Sequence, residues 1–319
     1  MRFRSTPSAL RGSIAPLITP FTVDGQLDGE SLQRITSWQI DSGSHGISIG
    51  GSTGEPSAQT NAERILAIRT VAATVADRVP FLPGTGAAKI DDTLEITGAA
   101  REAGADAVLV ITPYYARPTQ QGLYEWYATV AREFPDLPIG IYNVPSRTAV
   151  DIAPDTVARL FTDFDNIVGI KETTKDFEHF SRVIRACGPE MMVWSGIELL
   201  ALPLLALGGA GMINAVTNLA PTAVAQLFTA WDSGDHKTAL DLHYRLQPLI
   251  DLLFVETNPA PAKWVMHSMG LLESDRVRPP LVALSPTGQA AVAALLDEGG
   301  DLIPERHSDA LTTTNGPRR

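Results

Sequence analysis

Short apolar runs rich in β-branched residues alternate along the chain with longer segments of helical period. The runs fall at 13–19, 46–51, 80–85, 107–112, 138–143, 167–172, 192–195 and 211–215. Most are apolar at nearly every position, the pattern of parallel strands buried on both faces. Between them the spacing predicts helices over 28–42, 61–77, 119–134, 153–161, 176–187, 199–207 and 221–232. Asp28 supplies an acidic cap to the first. In the second, Ile65, Ile68, Val71, Ala72 and Val75 share one face, with Asn61 as N-cap. In 103–110 and again in 208–215, a glycine ends a helix and a buried strand begins. Eight strands alternating with helices predict an α/β fold of the (β/α)8 barrel type. The rival, a doubly wound sheet, would carry a glycine fingerprint after its first strand, and here that strand ends Thr19-Pro20-Phe21. Beyond Gly234 the strands stop, and 236–255, 259–269 and 287–296 read as three helices. The chain therefore divides into a barrel over 1–233, a helical extension over 234–298 and a flexible polar tail over 299–319.

Composition narrows the function. Of the 319 residues, 44% are hydrophobic and 19% charged, which excludes a wholly disordered chain. The net charge of −11 disfavours nucleic acid and anionic membranes as partners. A single cysteine, Cys187, excludes an internal disulfide and a cysteine metal cluster. No apolar stretch approaches the roughly 18–20 residues that span a bilayer. Residues 1–6 are basic but lack the apolar core of a leader. Together these features point to the cytoplasm. The histidines show no ligand spacing, and neither a G-x-S-x-G elbow nor a P-loop occurs. The expectation is no metal and no prosthetic group.

In a barrel the chemistry gathers at the C-terminal ends of the strands. Lys171 closes the apolar run 167–172. A lysine there is either a partly desolvated amine nucleophile or a strand-end side chain reaching for solvent. Tyr142 ends the run 138–143, where a phenol either relays protons or fills the core, and Arg147 in the loop beyond it either clamps a carboxylate or lies on the surface. The turn Gly50-Gly51-Ser52-Thr53-Gly54-Glu55 offers backbone N–H groups and two hydroxyls to an anion, or is simply a tight βα turn. Tyr114-Tyr115 suits a site lid or a subunit interface.

Taken together, G-x-[ST]-T-G-E, T-P-Y-Y, Y-N-x-P-x-R-T and G-I-K-E-T, in that order, resemble the dihydrodipicolinate synthase and N-acetylneuraminate lyase family. The resemblance runs from about Ile14 to Leu272 and includes the stretch 254–264, Phe-Val-Glu-Thr-Asn-Pro-Ala-Pro-Ala-Lys-Trp. It implies a Schiff-base aldolase on a (β/α)8 barrel, assembled as a homotetramer of dimers. Lys171 would form an imine with pyruvate, so that no separate cofactor is needed. Tyr142, Ser52 and Tyr115 would form a proton relay, with Tyr115 reaching into a neighbouring subunit. Gly51, the Ser52 and Thr53 backbone and the Thr53 hydroxyl would hold the pyruvate carboxylate, with Ile213 in contact.

The acceptor is read from finer detail. Arg147 and the stretch 114–124 resemble the synthase side, which uses aspartate semialdehyde to give 4-hydroxy-tetrahydrodipicolinate. Ser52, Ala116 and Asn214 depart from the synthase pattern and keep open a lyase, a 2-keto-3-deoxy sugar acid aldolase or a dehydratase. A non-catalytic keto-acid-binding member is a third alternative. Ala88 after Gly84-Thr85-Gly86-Ala87, with Asn61 and Arg64 where some synthases place histidines, implies insensitivity to lysine.

Overall fold

The computed structural model describes residues 6–304. Its strands are β1 (Gly12–Pro16), β2 (Gly46–Ser48), β3 (Val108–Ile111), β4 (Ile139–Asn143), β5 (Ile167–Glu172), β6 (Met192–Ser195) and β7 (Gly211–Met212). They lie parallel in the order β2-β1-β7-β6-β5-β4-β3. Segment 80–85 joins the two outer strands: Phe81 bridges Ile47 and Gly84 bridges Leu109. The Ile47 N–H donates to Pro80 O, Leu82 N–H to Ile47 O and Leu109 N–H to Pro83 O, at 2.8–2.9 Å. The ring closes with this eighth stave, as the barrel reading expects. Pro80 and Pro83 lack the N–H of a regular ladder, which restricts the stave to bridges.

The outer layer comprises α1 (Gly29–Asp41), α2 (Asn61–Val75), α3 (Ile90–Glu102), α4 (Gln120–Glu133), the short α5 (Pro145–Thr148), α6 (Pro154–Asp163), α7 (Phe177–Cys187), α8 (Ala201–Ala206) and α9 (Pro221–Asp232). Asp28 caps α1 as expected, accepting from Ser31 N at 2.9 Å. The cap of α2 is Thr60 rather than Asn61, because Thr60 and Glu63 close a reciprocal capping box. Ile65 and Ala72 are only half-buried there; Arg64 and Ala67 join Ile68, Val71 and Val75 inside. Helix α3 is missing from the sequence reading because its buried face is Thr93, Ile96, Thr97, Ala99 and Ala100, too small and hydroxylated to mark a hydrophobic stripe.

The extension holds α10 (His236–Arg245), α11 (Gln247–Leu253), α12 (Ala260–Ser268) and α13 (Pro286–Gly299). The helix expected over 236–255 breaks because Pro248 has no N–H to give a continuing helix and fits the first turn of a new one. Residues Gly300–Leu302 form a 3₁₀ turn and Ile303 is buried, so the tail starts packed. The rest of the expected tail, 305–319, and residues 1–5 lie outside the described residues. Among the described residues no helix is long and apolar enough to cross a membrane.

Two packed regions hold the barrel. One lies between sheet and helices; the other fills the barrel interior and includes Leu10, Ile14, Leu109, Met192, Trp194 and Ile213. Trp194 is fully buried and donates its indole N–H to Leu10 O at 2.7 Å. Gly169 must lack a side chain, because a Cβ there would stand 2.5 Å from the Trp194 ring. This interior plug is the floor beneath Lys171, two residues further along the same face of β5.

Candidate active site

β4 and β5 pair with Tyr142 opposite Lys171 and Asn143 opposite Glu172. Alternation along the strands sends the first pair inward and the second toward the helices. Lys171 is 6% exposed, and its Nζ lies 4.2 Å from the centroid of the Tyr142 ring. Gly196 gives the lysine its room: a Cβ there would stand 2.8 Å from Lys171 Cε. The Tyr142 hydroxyl meets Ser52 Oγ at 3.2 Å.

Ser52 belongs to the turn after β2. Gly50, with φ +78°, passes so close to Gly84 that a Cβ would lie 2.6 Å from its carbonyl oxygen, so only glycine fits. Ser52–Gly54 then form a 3₁₀ turn, and Glu55 ends it in the left-handed region at φ 53°. The buried Glu55 carboxylate pairs with Lys263 Nζ at 2.5 Å and accepts Arg278 N–H at 2.9 Å. Burial pulls the Lys263 ammonium down to about 8, against the opposing pull of Glu55. Thr53 is buried, and its Oγ1 accepts from Asn258 Nδ2 at 3.0 Å.

A cavity of about 240 Å³ opens at this end of the barrel, lined among others by Gly51, Ser52, Tyr114, Tyr142 and Arg147. Lys171 adjoins it through the Tyr142 ring. Ile213 is fully buried at the end of β7, its N–H on Ser195 O at 2.8 Å. Tyr115 is the exception among the expected site residues. Its side chain is 94% exposed, and its backbone sits at φ +75°, a region that costs a non-glycine residue about 1–3 kcal/mol. Tyr114, not Tyr115, lines the cavity of its own chain.

Residues 9–299 match the dihydrodipicolinate synthetase family. The chain belongs to this family. A 4-hydroxy-tetrahydrodipicolinate synthase of Thermus thermophilus is 46% identical over 298 residues, covering 93% of this chain and 99% of the relative. The solved dihydrodipicolinate synthase of Aquifex aeolicus superposes with a TM-score of 0.88 at 38% identity, covering 92% of this chain and 99% of that one. The chloride-inhibited dihydrodipicolinate synthase of Acinetobacter baumannii, solved in complex with pyruvate, gives 0.87 at 37% identity over 91% and 99%.

Several contacts in this dihydrodipicolinate synthetase family member are absent from the sequence reading. Gly196 supports the site from a position with no local signal; Asn258 and Lys263 lie in the quoted stretch 254–264, where the resemblance assigns neither a role. Glu198 is buried and accepts from Ala215 N at 2.8 Å. Burial pushes its carboxyl above the usual 4.5, while backbone N–H groups and the Lys171 charge pull the other way. Behind the Tyr142–Lys171 pair, Asn143 Nδ2 donates to both Glu172 oxygens at 3.0 and 3.1 Å and to Asp151 Oδ1 at 2.7 Å. His179 Nε2 lies 3.1 Å from Glu172 Oε2. Glu172 stands in the quoted G-I-K-E-T motif, so its position was available as a signal; His179 and Asp151 require the fold.

Proposed function

We propose that this protein is a lyase, a 4-hydroxy-tetrahydrodipicolinate synthase, which joins pyruvate to aspartate semialdehyde through an imine on Lys171. The observation that carries the reading is the Tyr142–Lys171 pair with Ser52 on the Tyr142 hydroxyl, in a chain whose relatives bear that name over nearly their full length. Lys171 Nζ adds to the keto carbon of pyruvate, and loss of water gives the imine. The imine draws electrons from the adjacent methyl group, so a proton leaves that carbon and an enamine forms. The enamine carbon attacks the aldehyde carbon, and the aldehyde oxygen takes up a proton. Tyr142 and Ser52, hydroxyl to hydroxyl at 3.2 Å, supply a path for it. Thr53, Gly51 and the turn backbone bind the pyruvate carboxylate, with Ile213 in contact. Arg147, on the rim of the cavity, suits an acceptor that carries its own carboxylate, because a guanidinium pairs with one through two parallel bonds.

Tyr115 completes the relay in a neighbouring subunit. Its exposure and its left-handed backbone support that role, since a strained residue aimed away from its own chain needs a partner to explain it. The assembly is a homotetramer built from such dimers.

The test is to incubate the protein with pyruvate, reduce with borohydride and locate the added mass. An adduct on the peptide holding Lys171, followed by consumption of aspartate semialdehyde, is the expected result. Folded protein that traps no pyruvate overturns the reading.

A further inference from the structure

Two buried contacts tie the 52–55 turn to the helical extension. Asn258 Nδ2 donates to Thr53 Oγ1, 205 residues away along the chain. Lys263, fully buried, pairs with Glu55 and also donates to Arg276 O at 2.9 Å. The Lys263 ammonium further sits 4.2 Å over the Phe21 ring, which fixes it from a third side.

Asn258 is the more telling of the two. Its side-chain oxygen is buried with no hydrogen-bond partner. An unmade buried bond costs stability, so this amide is held for what its nitrogen does. A hydroxyl has one proton to give and lone pairs to receive. With the amide oriented as it is here, Nδ2 fills a lone pair of Thr53 Oγ1, and the Thr53 proton is left to point elsewhere. Resting on the reading that this turn binds the carboxylate of the keto acid, we propose that Asn258 is a positioning residue: its amide turns the Thr53 hydroxyl into a donor to that carboxylate, on a turn that Lys263 anchors through Glu55.

The donor-to-acceptor substitution separates this role from a structural one. Asn258→Asp puts an acceptor where the donor stood, so the Thr53 proton turns toward residue 258 and a negative charge faces the keto acid. Asn258→Ala only removes the constraint. The experiment measures the pyruvate concentration for half-maximal borohydride trapping, with KM and kcat alongside, in the full chain and in Asn258→Asp, Asn258→Ala, Thr53→Val and the Thr53→Val/Asn258→Ala pair.

The expected result is a half-saturating pyruvate raised about a hundredfold by Asn258→Asp and roughly threefold to tenfold by Asn258→Ala, with kcat at saturation nearly kept. In the Thr53→Val background the Asn258→Ala effect disappears. A purely structural role would instead lower the yield of active protein and leave KM alone. Asn258→Asp no worse than Asn258→Ala overturns the proposal, as do additive effects of Thr53→Val and Asn258→Ala. If Asn258→Asp does not fold, the Thr53→Val/Asn258→Ala comparison decides by itself. Wild-type protein that traps no pyruvate overturns the functional reading and this inference with it; trapping unaltered by these variants overturns the inference alone.

Discussion

The two halves of the cavity are built differently. Lys171 and Tyr142 stand on strands, and the Asn143–Glu172 pair behind them is clasped from every side. Glu172 accepts from Thr173 N and Thr174 N at 2.9 and 3.0 Å in addition to Asn143, and His179 Nε2 lies 3.1 Å from its Oε2. Tyr115 stands on a loop with a strained backbone and Arg147 on a four-residue helix between strands, and both are exposed. The strand half is buried; the other half is exposed, with Arg147 on the cavity rim and Tyr115 outside the cavity lining of its own chain. Groups that must hold a reacting atom to a fraction of an ångström sit on rigid elements, while groups that choose or complete a partner sit where the chain can vary.

The comparison breaks most severely at Lys171. Lys171→Met removes the amine and keeps the apolar stem, so the fold should persist while turnover falls on the order of 10⁴-fold or more. Borohydride trapping should vanish with it. Residual trapping at another lysine would mean that the strand half does not carry the chemistry.

The exposed half answers to a different experiment. Tyr115→Phe should lower turnover by about 10²-fold, the usual worth of one positioned proton donor. Mixing it with Lys171→Met under dissociating and then reassociating conditions should restore activity. Each mixed dimer then holds one site with an intact lysine from one chain and an intact tyrosine from the other. A mixture as inactive as its parts would place Tyr115 outside the neighbouring site.

How much of this was legible in the sequence follows the same division. Strand-end residues could be found because period and position define them: Lys171 and Tyr142 close buried runs, and the barrel rule points to their ends. The eighth stave was legible too, although Pro80 and Pro83 leave it only bridges. Contacts that close over long separations were not. Asn258 and Lys263 stand in the quoted stretch 254–264, but their pairing with Thr53 and Glu55, like Gly196 beneath Lys171, is chosen by a neighbour that the fold supplies. Helix α3 escaped for a simpler reason: alanines and threonines pack closely without marking a stripe.

A smaller effect probes what holds the strand half together. His179 is buried against Glu172. Burial pulls its imidazole down, but the adjacent Glu172 carboxylate, with Asp151 and Asp176, outweighs it, and its pKa lies above the usual 6.5. A raised folded-state value means that the stabilisation is fully present below the unfolded value and is lost as pH rises through the folded one. His179→Asn should therefore cost about 1–3 kcal/mol near pH 5.5 and less near pH 9. Denaturant midpoints at the two pH values measure it. An equal cost at both would mean that packing, not the charged pair, keeps His179 in place.

The smallest expected effect is none at all. Where the family resemblance would put lysine-responsive histidines, this chain has Asn61 and Arg64. Arg64 is 5% exposed and donates through Nη2 to Gly84 O and Gly86 O at 3.1 and 3.0 Å. Burial lowers its guanidinium to about 10, which still leaves it a cation at neutral pH. Asn61 Nδ2 occupies the nearby carboxylates, at 2.7 Å from Glu95 and 3.2 Å from Asp92. An incoming ammonium meets a fixed positive charge and acids that already have a donor, and like charges at short range repel. Millimolar lysine should leave turnover unchanged. The sharper form is a gain: Asn61→His, Arg64→His and Ala88→Asn together remove the fixed cation and should create inhibition by lysine. Inhibition of the unaltered protein would show that the buried Arg64 cation does not guard this part of the molecule.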